Sequence, residues 1–405
     1  MTDNEAASDT TSTTVQEFTI PYSYPVSFTY DLFNPSNPLL NDTLCLAGNN
    51  RRHRLLVFID EGVVHGQADL LSRIDRYVEQ YEQSMDLVTH AVAMPAGEQL
   101  KSELHFIEQM QKVICEQHID RHSFVIGIGG GALLDAVGLV AATSHRGIRH
   151  IRIPTTVLAQ NDSGVGVKNG VNLLGQKNYI GTFAPPFAVL NDYRFIETLP
   201  DRDKISGMAE AVKVALIRDA VFYKWIENNR EKLTNFDPNA MRHMIKRCAE
   251  LHMHQIANGG DPFETGSVRP LDFGHWAAHR LETITRYRLR HGEAVAIGIA
   301  LDTHYSVLAG LLSAGADERV HSLLSTLGFT LWHAGLELKN SEQQFEILQG
   351  LRDFQEHLGG ELTITLLRDV GVGKEVHEMD HALVLQAVQW LKQRHDSQDQ
   401  IAAHR

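Results

Sequence analysis

Sulfur, positive charge and long apolar runs are what this 405-residue sequence has least of. Its three cysteines, Cys45, Cys115 and Cys248, are odd in number, widely spaced and without CxxC spacing, which argues against a disulfide framework and against a thiolate zinc site. Only 37 Lys and Arg stand against 50 Asp and Glu, a formal charge of -13. That balance speaks against a nucleic-acid partner, since nucleic-acid-binding domains usually present a net basic face. No run approaches the length of a membrane span. Residues 1–16, polar and rich in Ser and Thr, lack the basic and apolar regions of a secretory leader. The expectation is a cytoplasmic chain with a disordered lead-in over 1–16 and with neither nucleic acid nor membrane as partner.

What is present is alternation. The segments RHRLLVFID, DLVTHAVAMP and SFVIGIG read as strands, while LLSRIDRYVEQYEQ, ELHFIEQMQKVICEQHI and ALLDAVGLVAATS have helical spacing. Such alternation predicts βαβ units and a parallel, Rossmann-like sheet. Upstream, from Glu17, FTIPYSYPVSFTYDLF has the β-branched and aromatic mix of a strand or hairpin. Residues 150–192 are dense in small and polar residues and read as a long functional loop. From Leu199 onward the period is helical until ELTITLLRD. The expected organisation is an α/β domain over 17–198 and a mainly α-helical domain over 199–405.

Four patterns point to chemistry. Gly129, Gly130 and Gly131 lie between a strand and a helix, where backbone amides and the helix dipole suit an anion such as pyrophosphate. Asp162, Lys168, Lys177 and Asn178 share the glycine-rich stretch that follows, and such cations suit a phosphate. Glu210 and Lys213 are three apart on an apolar helix, so a buried carboxylate there needs a cation. His275 and His279 fall on one helix face, and His291 opens a second apolar helix.

Taken together, PAGEQLKS, GGGALLDAVG, RGIRHIRIPTTVLAQNDSGVGVKNGVN, QKNYIGTF, ETLPDRD, MAEAVK, DFGHWAAH and HGEAVAIG resemble the sugar phosphate cyclase superfamily, which includes 3-dehydroquinate synthase. The resemblance spans roughly residues 55–390. It implies an NAD-binding α/β domain, a helical domain, a cleft between them, one divalent metal and a homodimer. Matched positions make Glu210, His275 and His291 the ligands of Zn²⁺, with Co²⁺ as the alternative. They assign NAD to Asp60, Glu98, Lys101, Gly130, Gly131, Asp135, Thr155, Thr156, Lys177 and Thr198. Asp162, Lys168, Lys213, His279 and Glu264 match catalytic positions and Asn178 a substrate contact, while Arg146 matches an arginine supplied across the dimer to the phosphate.

Departures narrow the resemblance. The lysine, arginine and asparagine that complete the dehydroquinate synthase pocket ahead of the first metal histidine are replaced by His254, Val268 and Asp272. Arg269 is one residue out of register with the arginine seat and is not counted as its substitute. With two cations gone and an anion added, a carboxylated substrate would be desolvated beside Asp272 without compensation. RPLDFGHWAAH, GGDPFETGS and EHLGGELTITLL instead resemble the 2-epi-5-epi-valiolone synthases, which cyclise sedoheptulose 7-phosphate and use a histidine matched by His357. Asn258 stands where that subgroup has leucine. The implied reaction is redox-neutral, through transient oxidation by NAD, β-elimination of phosphate, reduction and aldol closure. The alternatives are 2-epi-valiolone or desmethyl-4-deoxygadusol formation, 3-dehydroquinate synthesis and, from another class, a metal-dependent alcohol or glycerol dehydrogenase.

Overall fold

The computed structural model describes residues 13–48, 51–174, 176–264, 266, 269–357 and 359–403. Of the lead-in over 1–16 expected to be disordered, residues 1–12 lie outside them, as do Val268 and the side chain of His357. In chain order, β1 (Val26–Thr29), α1 (Leu39–Cys45), β2 (His53–Asp60), α2 (Glu61–Gly66), α3 (Leu70–Gln80), β3 (Met85–Leu87) and β4 (Val92–Met94) come first. Then follow α4 (Gln99–Ser102), α5 (Leu104–Glu116), β5 (Phe124–Gly129), α6 (Gly131–Thr143), β6 (Arg149–Pro154), β7 (Lys168–Leu173), β8 (Gln176–Phe183), β9 (Ala188–Asp192) and α7 (Arg194–Glu197).

One parallel sheet runs in the order β1-β9-β6-β5-β2-β3, with β4 also paired to β2. On β2, Leu55, Val57 and Ile59 enter one core while Leu56 and Phe58 enter the other. Successive strand side chains point to opposite faces, so a sheet covered on both sides must be apolar throughout. The C-terminal ends of β2, β5 and β6, which are neighbours in the sheet, therefore meet at one edge.

Three expectations change. Of the segment from Glu17, only Val26–Thr29 is a strand, paired in parallel with β9 and not in a hairpin. The strand expected over DLVTHAVAM is broken into β3 and β4. The stretch 150–192 is not a loop: it holds β6, a π-helical turn at Ala159–Ser163, the antiparallel pair β7–β8, and β9.

Beyond Leu199, between α7 and α8, the chain is mainly helical. It contains α8 (Asp201–Arg218), α9 (Ala220–Asn228), α10 (Arg230–Thr234), α11 (Pro238–Asn258), α12 (His275–Ile284) and α13 (His291–Leu308). α14 (Ala316–Thr326), α15 (Glu346–His357), the antiparallel pair β10 (Ile364–Asp369) and β11 (Val372–Val376), and α16 (His381–Ala403) complete it. None of the described helices is long and apolar enough to cross a membrane. α8 is buried from Ser206 to Ile217, and two glycine contacts fix its neighbours. A Cβ on Gly298 would overlap the carbonyl oxygen of Gly274, and one on Gly292 that of Ser206. The first contact seats α12 on α13, and the second presses the start of α13 against α8.

Candidate active site

Those two contacts bring Glu210, His275 and His291 together. The Nε2 atoms of His275 and His291 lie 3.8 and 3.6 Å from Glu210 Oε1. Glu210 is 1% exposed, and neither of its carboxylate oxygens has an aligned hydrogen-bond donor, although the Lys213 ammonium stands beside Oε2. A buried carboxylate without donors is costly; a cation between it and two imidazole lone pairs removes the cost. His275 Nδ1 donates to the Phe273 carbonyl at 3.1 Å, the tautomer that leaves Nε2 free to ligate. Asp302 on α13 braces the same turn by accepting from the Gly274 amide (3.0 Å) and the Trp276 indole (2.9 Å). Burial lifts its carboxyl to about 7, against those two donors.

A second trio, His279, Glu282 and His291, is also close enough to hold a metal. Its carboxylate is already committed: Glu282 accepts from Lys177 Nζ at 2.7 Å and lies 3.3 Å from His291 Nδ1. Because a carboxylate only accepts, His291 donates through Nδ1 and turns Nε2 toward Glu210. The first trio is therefore the metal candidate, and Glu282 orients one of its ligands. Glu282→Gln is expected to weaken zinc or cobalt binding by about 10–100-fold, measured by chelator competition. Unchanged affinity would remove this role.

Asp162, in the turn after β6, joins the centre from the sheet side. It is 2.8 Å from His252 Nδ1 and 3.9 Å from Lys213 Nζ. Burial alone would raise its carboxyl; His252 and Lys213 outweigh that and hold it well below the usual carboxylate range. Lys213 is buried too, yet Glu210 and Asp162, with a smaller contribution from Asp272, keep it protonated. His279 is pushed toward neutrality by burial, then by Lys177 and His275.

The sheet edge gathers most of the positions matched to a dinucleotide. The Thr155 amide donates to the Gly129 carbonyl at 3.0 Å, and a Cβ on Gly130 would lie 3.2 Å from Thr156 Cγ2. Gly130 caps the start of α6, and Asp60 caps α2 by accepting from the Gly62 amide at 2.8 Å. Lys101 Nζ reaches Asp135 Oδ2 at 2.7 Å and Asn178 Oδ1 at 2.6 Å. Asn172 ties this cluster to Glu98, at 3.2 Å. Asn178, expected as a substrate contact, is thus engaged with Lys101, whereas Lys177, expected at the cofactor, is engaged with Glu282 on the metal side. Thr198 accepts from Gln67, at 3.2 Å, just beyond α2.

Other positions stand apart. Lys168, 58% exposed, pairs with Glu264 at 2.5 Å. Arg146 is exposed past the far end of α6, about 20 Å along that helix from the glycine turn. His254 is exposed on α11. Two residues along a helix is about 200° of rotation, so the face that brings His252 to Asp162 turns His254 away. His252 and Glu282 are the residues that sequence reasoning missed. Glu282 had left a signal, since it completes the i, i+4, i+7 face begun by His275 and His279; His252 had not.

Comparisons with known proteins bear on the family and the fold. Residues 91–206 match the family model for the N-terminal part of 3-dehydroquinate synthase and residues 207–350 that for its C-terminal part. The 3-dehydroquinate synthase of Xylella fastidiosa (strain 9a5c) is 33% identical over 389 residues, 93% of each chain. That of Halorhodospira halophila is 38% identical over 282 residues, covering 69% of this chain and 77% of its own. Among solved structures, ValA, the 2-epi-5-epi-valiolone synthase of Streptomyces hygroscopicus subsp. jinggangensis 5008 with NAD⁺ and Zn²⁺ bound, superposes with a TM-score of 0.83 and 27% identity, covering 94% of this chain and 99% of that one. 2-Deoxy-scyllo-inosose synthase, complexed with carbaglucose-6-phosphate, NAD⁺ and Co²⁺, shares the fold at a TM-score of 0.69 and 21% identity, over 90% and 95% of the two chains. A relative one-third identical along nearly the whole length, and two family models that adjoin within α8, the buried helix of Glu210, make this chain a member of the 3-dehydroquinate synthase-like sugar phosphate cyclases.

Proposed function

We propose that this enzyme cyclises sedoheptulose 7-phosphate to 2-epi-5-epi-valiolone with release of phosphate. The observation that carries the reading is Asp272, in the turn of 3₁₀ helix just ahead of His275 and near enough to Lys213 to raise its basicity. A second carboxylate brought there would meet an anion, whereas a hydroxymethyl group would meet an acceptor. Arg269 does not restore a carboxylate clamp: its guanidinium lies 3.6 Å from the Glu264 carboxylate and donates to the Glu264 carbonyl at 3.3 Å. The likeness to ValA supports the same reading. The name carried by the curated relatives favours 3-dehydroquinate synthesis instead, so both substrates belong in the test.

NAD and a divalent ion, Zn²⁺ or Co²⁺, are part of this reading. Glu210, His275 and His291 would hold the ion, and Asp60, the glycine turn, Thr155 and Thr156 the dinucleotide. When bound, they supply a Lewis acid and a reversible hydride acceptor. The protein's own groups do the rest. Lys213, protonated between two carboxylates, donates to a substrate oxygen. His279, held neutral, is free to take a proton, and Lys168 offers its ammonium to the departing phosphate. His357 is the remaining expected substrate contact, whereas His254, turned away on α11, takes no part in this reading. A homodimer belongs to the proposal: Arg146, exposed past the end of α6 remote from the glycine turn, would serve the phosphate in another protomer's cleft.

The test is to supply metal-loaded enzyme and NAD with either sedoheptulose 7-phosphate or the carboxylated precursor of 3-dehydroquinate. Phosphate released from the heptulose without net NADH is expected. Turnover of the carboxylated sugar alone would establish the rival cyclase, and net NADH a dehydrogenase.

A further inference from the structure

Arg152, in the central strand β6, is fully buried. Its Nη1 donates to the carbonyls of Gly166 (2.9 Å), Gly164 (3.2 Å) and Ser163 (3.4 Å), and its Nη2 to the carbonyl of Lys168 (2.8 Å) and to Asn169 Oδ1 (2.6 Å). All five acceptors are neutral, so the guanidinium is held in place by hydrogen bonds and not by a paired carboxylate, with the Asp135 carboxylate acting on it only from beyond ion-pair distance. All five also belong to one short turn, residues 163–169. Asp162, joined to Lys213 and His252, enters that turn, and Lys168, paired with Glu264, leaves it.

The turn has other ties, among them the Tyr24 hydroxyl on the Val165 carbonyl (2.8 Å), the Gly164 amide on the Ala159 carbonyl (2.9 Å) and the pairing of Lys168 and Asn169 in β7 with β8. Each of these holds one or two residues, whereas the guanidinium gathers five acceptors. The turn is rich in glycine, and its carbonyls converge on one point, an arrangement that leaves dipoles repelling one another unless a cation sits at the focus. The four N–H groups of the two Nη atoms cover the five acceptors of that focus in one fixed plane, whereas an ammonium has three donors and no such plane. β6 lies between β5 and β9 in the sheet, so the anchor itself is rigid.

We propose that Arg152 is a positioning residue that folds the 163–169 turn around its guanidinium and thereby sets Asp162 and Lys168 at the two sides of the substrate cleft. The roles of Asp162 and Lys168 rest on the function proposed above; the templating of the turn does not.

The experiment compares Arg152→Ala and Arg152→Lys with the wild type in the full chain loaded with zinc and NAD. In Arg152→Ala, amide hydrogen exchange over 163–169 is expected to quicken by about tenfold or more, with β2, β5 and zinc stoichiometry unchanged. Phosphate release should lose on the order of 10²-fold in kcat/KM, the scale of a misplacement of about 1 Å. Guanidinium ion at sub-denaturing concentration should restore part of that loss, and Arg152→Lys should fall between. Unchanged exchange in the turn, loosening spread evenly over the sheet, or absence of guanidinium rescue would overturn the proposal. Should Arg152→Ala be insoluble, the turn-specific exchange of Arg152→Lys decides. A wild type that releases phosphate from neither sugar would refute the proposed function, while the exchange measurements would still judge Arg152.

Discussion

Replacing His275 by alanine is expected to leave the protein folded but without bound metal, and to reduce turnover below about 1% of wild type. The reasoning starts from donor count. Among the described residues, Glu210 is the carboxylate whose buried oxygens face both imidazole Nε2 atoms. A carboxylate and two imidazoles are the fewest protein ligands that hold a catalytic zinc while keeping a position open for substrate oxygen. With two of the three left, the ion exchanges into chelator. Metal should also stabilise the wild type by mass action, by about 2.7 kcal/mol at 100 times Kd, and give His275→Ala no such gain. Zinc content after dialysis and melting with and without added zinc measure both effects. A variant that retains stoichiometric zinc and turnover would show that the ligands lie elsewhere. Glu210→Gln is the companion substitution, because Glu210→Ala would take from the buried Lys213 the nearer of its two carboxylates and leave a cavity, and breaking a buried pair in this way costs up to about 3–5 kcal/mol.

Legibility of the fold depended on where polar groups sit. β2 was visible because a strand covered on both faces must be apolar at every step, and LLVFI is. β7 was hidden because KNGVNL buries Asn169 and Asn172, whose side chains find partners instead of water: Asn169 takes the Arg152 guanidinium, and Asn172 takes Glu98, Ser102 and the Asn178 amide. A hydropathy pattern counts such asparagines as surface, so the stretch reads as loop. The unexpected hairpin and the buried arginine have one origin, a polar network that tertiary structure alone can satisfy.

For the site, spacing along a helix was informative and spacing between helices was not. His275 and His279 announce a shared face by themselves, and Glu210 with Lys213 announces a buried pair. Nothing local connects α8 to α12, or α11 to the turn of Asp162, so His252, one of 22 histidines, carries no mark until the fold sets it 2.8 Å from a carboxylate. Arg146 and His254 show the converse. Matched by position in the chain, one lies at the end of α6 remote from the glycine turn and the other on the outward face of α11.

Gly292→Ala is the substitution that joins packing to chemistry, and it is expected to destabilise the helical half and weaken metal binding together. The residue follows His291 directly, and its α-hydrogen faces the carbonyl of Ser206, four residues before Glu210 on the buried helix α8. A methyl group there overlaps backbone and not a movable side chain, so α13 must retreat from α8. Overpacking of this kind costs at the upper end of about 1–3 kcal/mol, which for a half of some 200 residues lowers Tm by roughly 5–10 °C. The retreat also carries His291 away from Glu210 Oε1, the oxygen that faces both imidazoles, while the Lys213 ammonium stays beside Oε2. Zinc affinity should therefore fall by at least about tenfold, although no ligand has been altered. Gly260→Ala is the matched control: it lies in a loop where a Cβ meets nothing within 4 Å, though with φ at 84°, so it bears backbone strain without the clash. Equal zinc affinity in Gly292→Ala and the wild type would mean that the α8–α13 approach is not what sets the distance between Glu210 and His291.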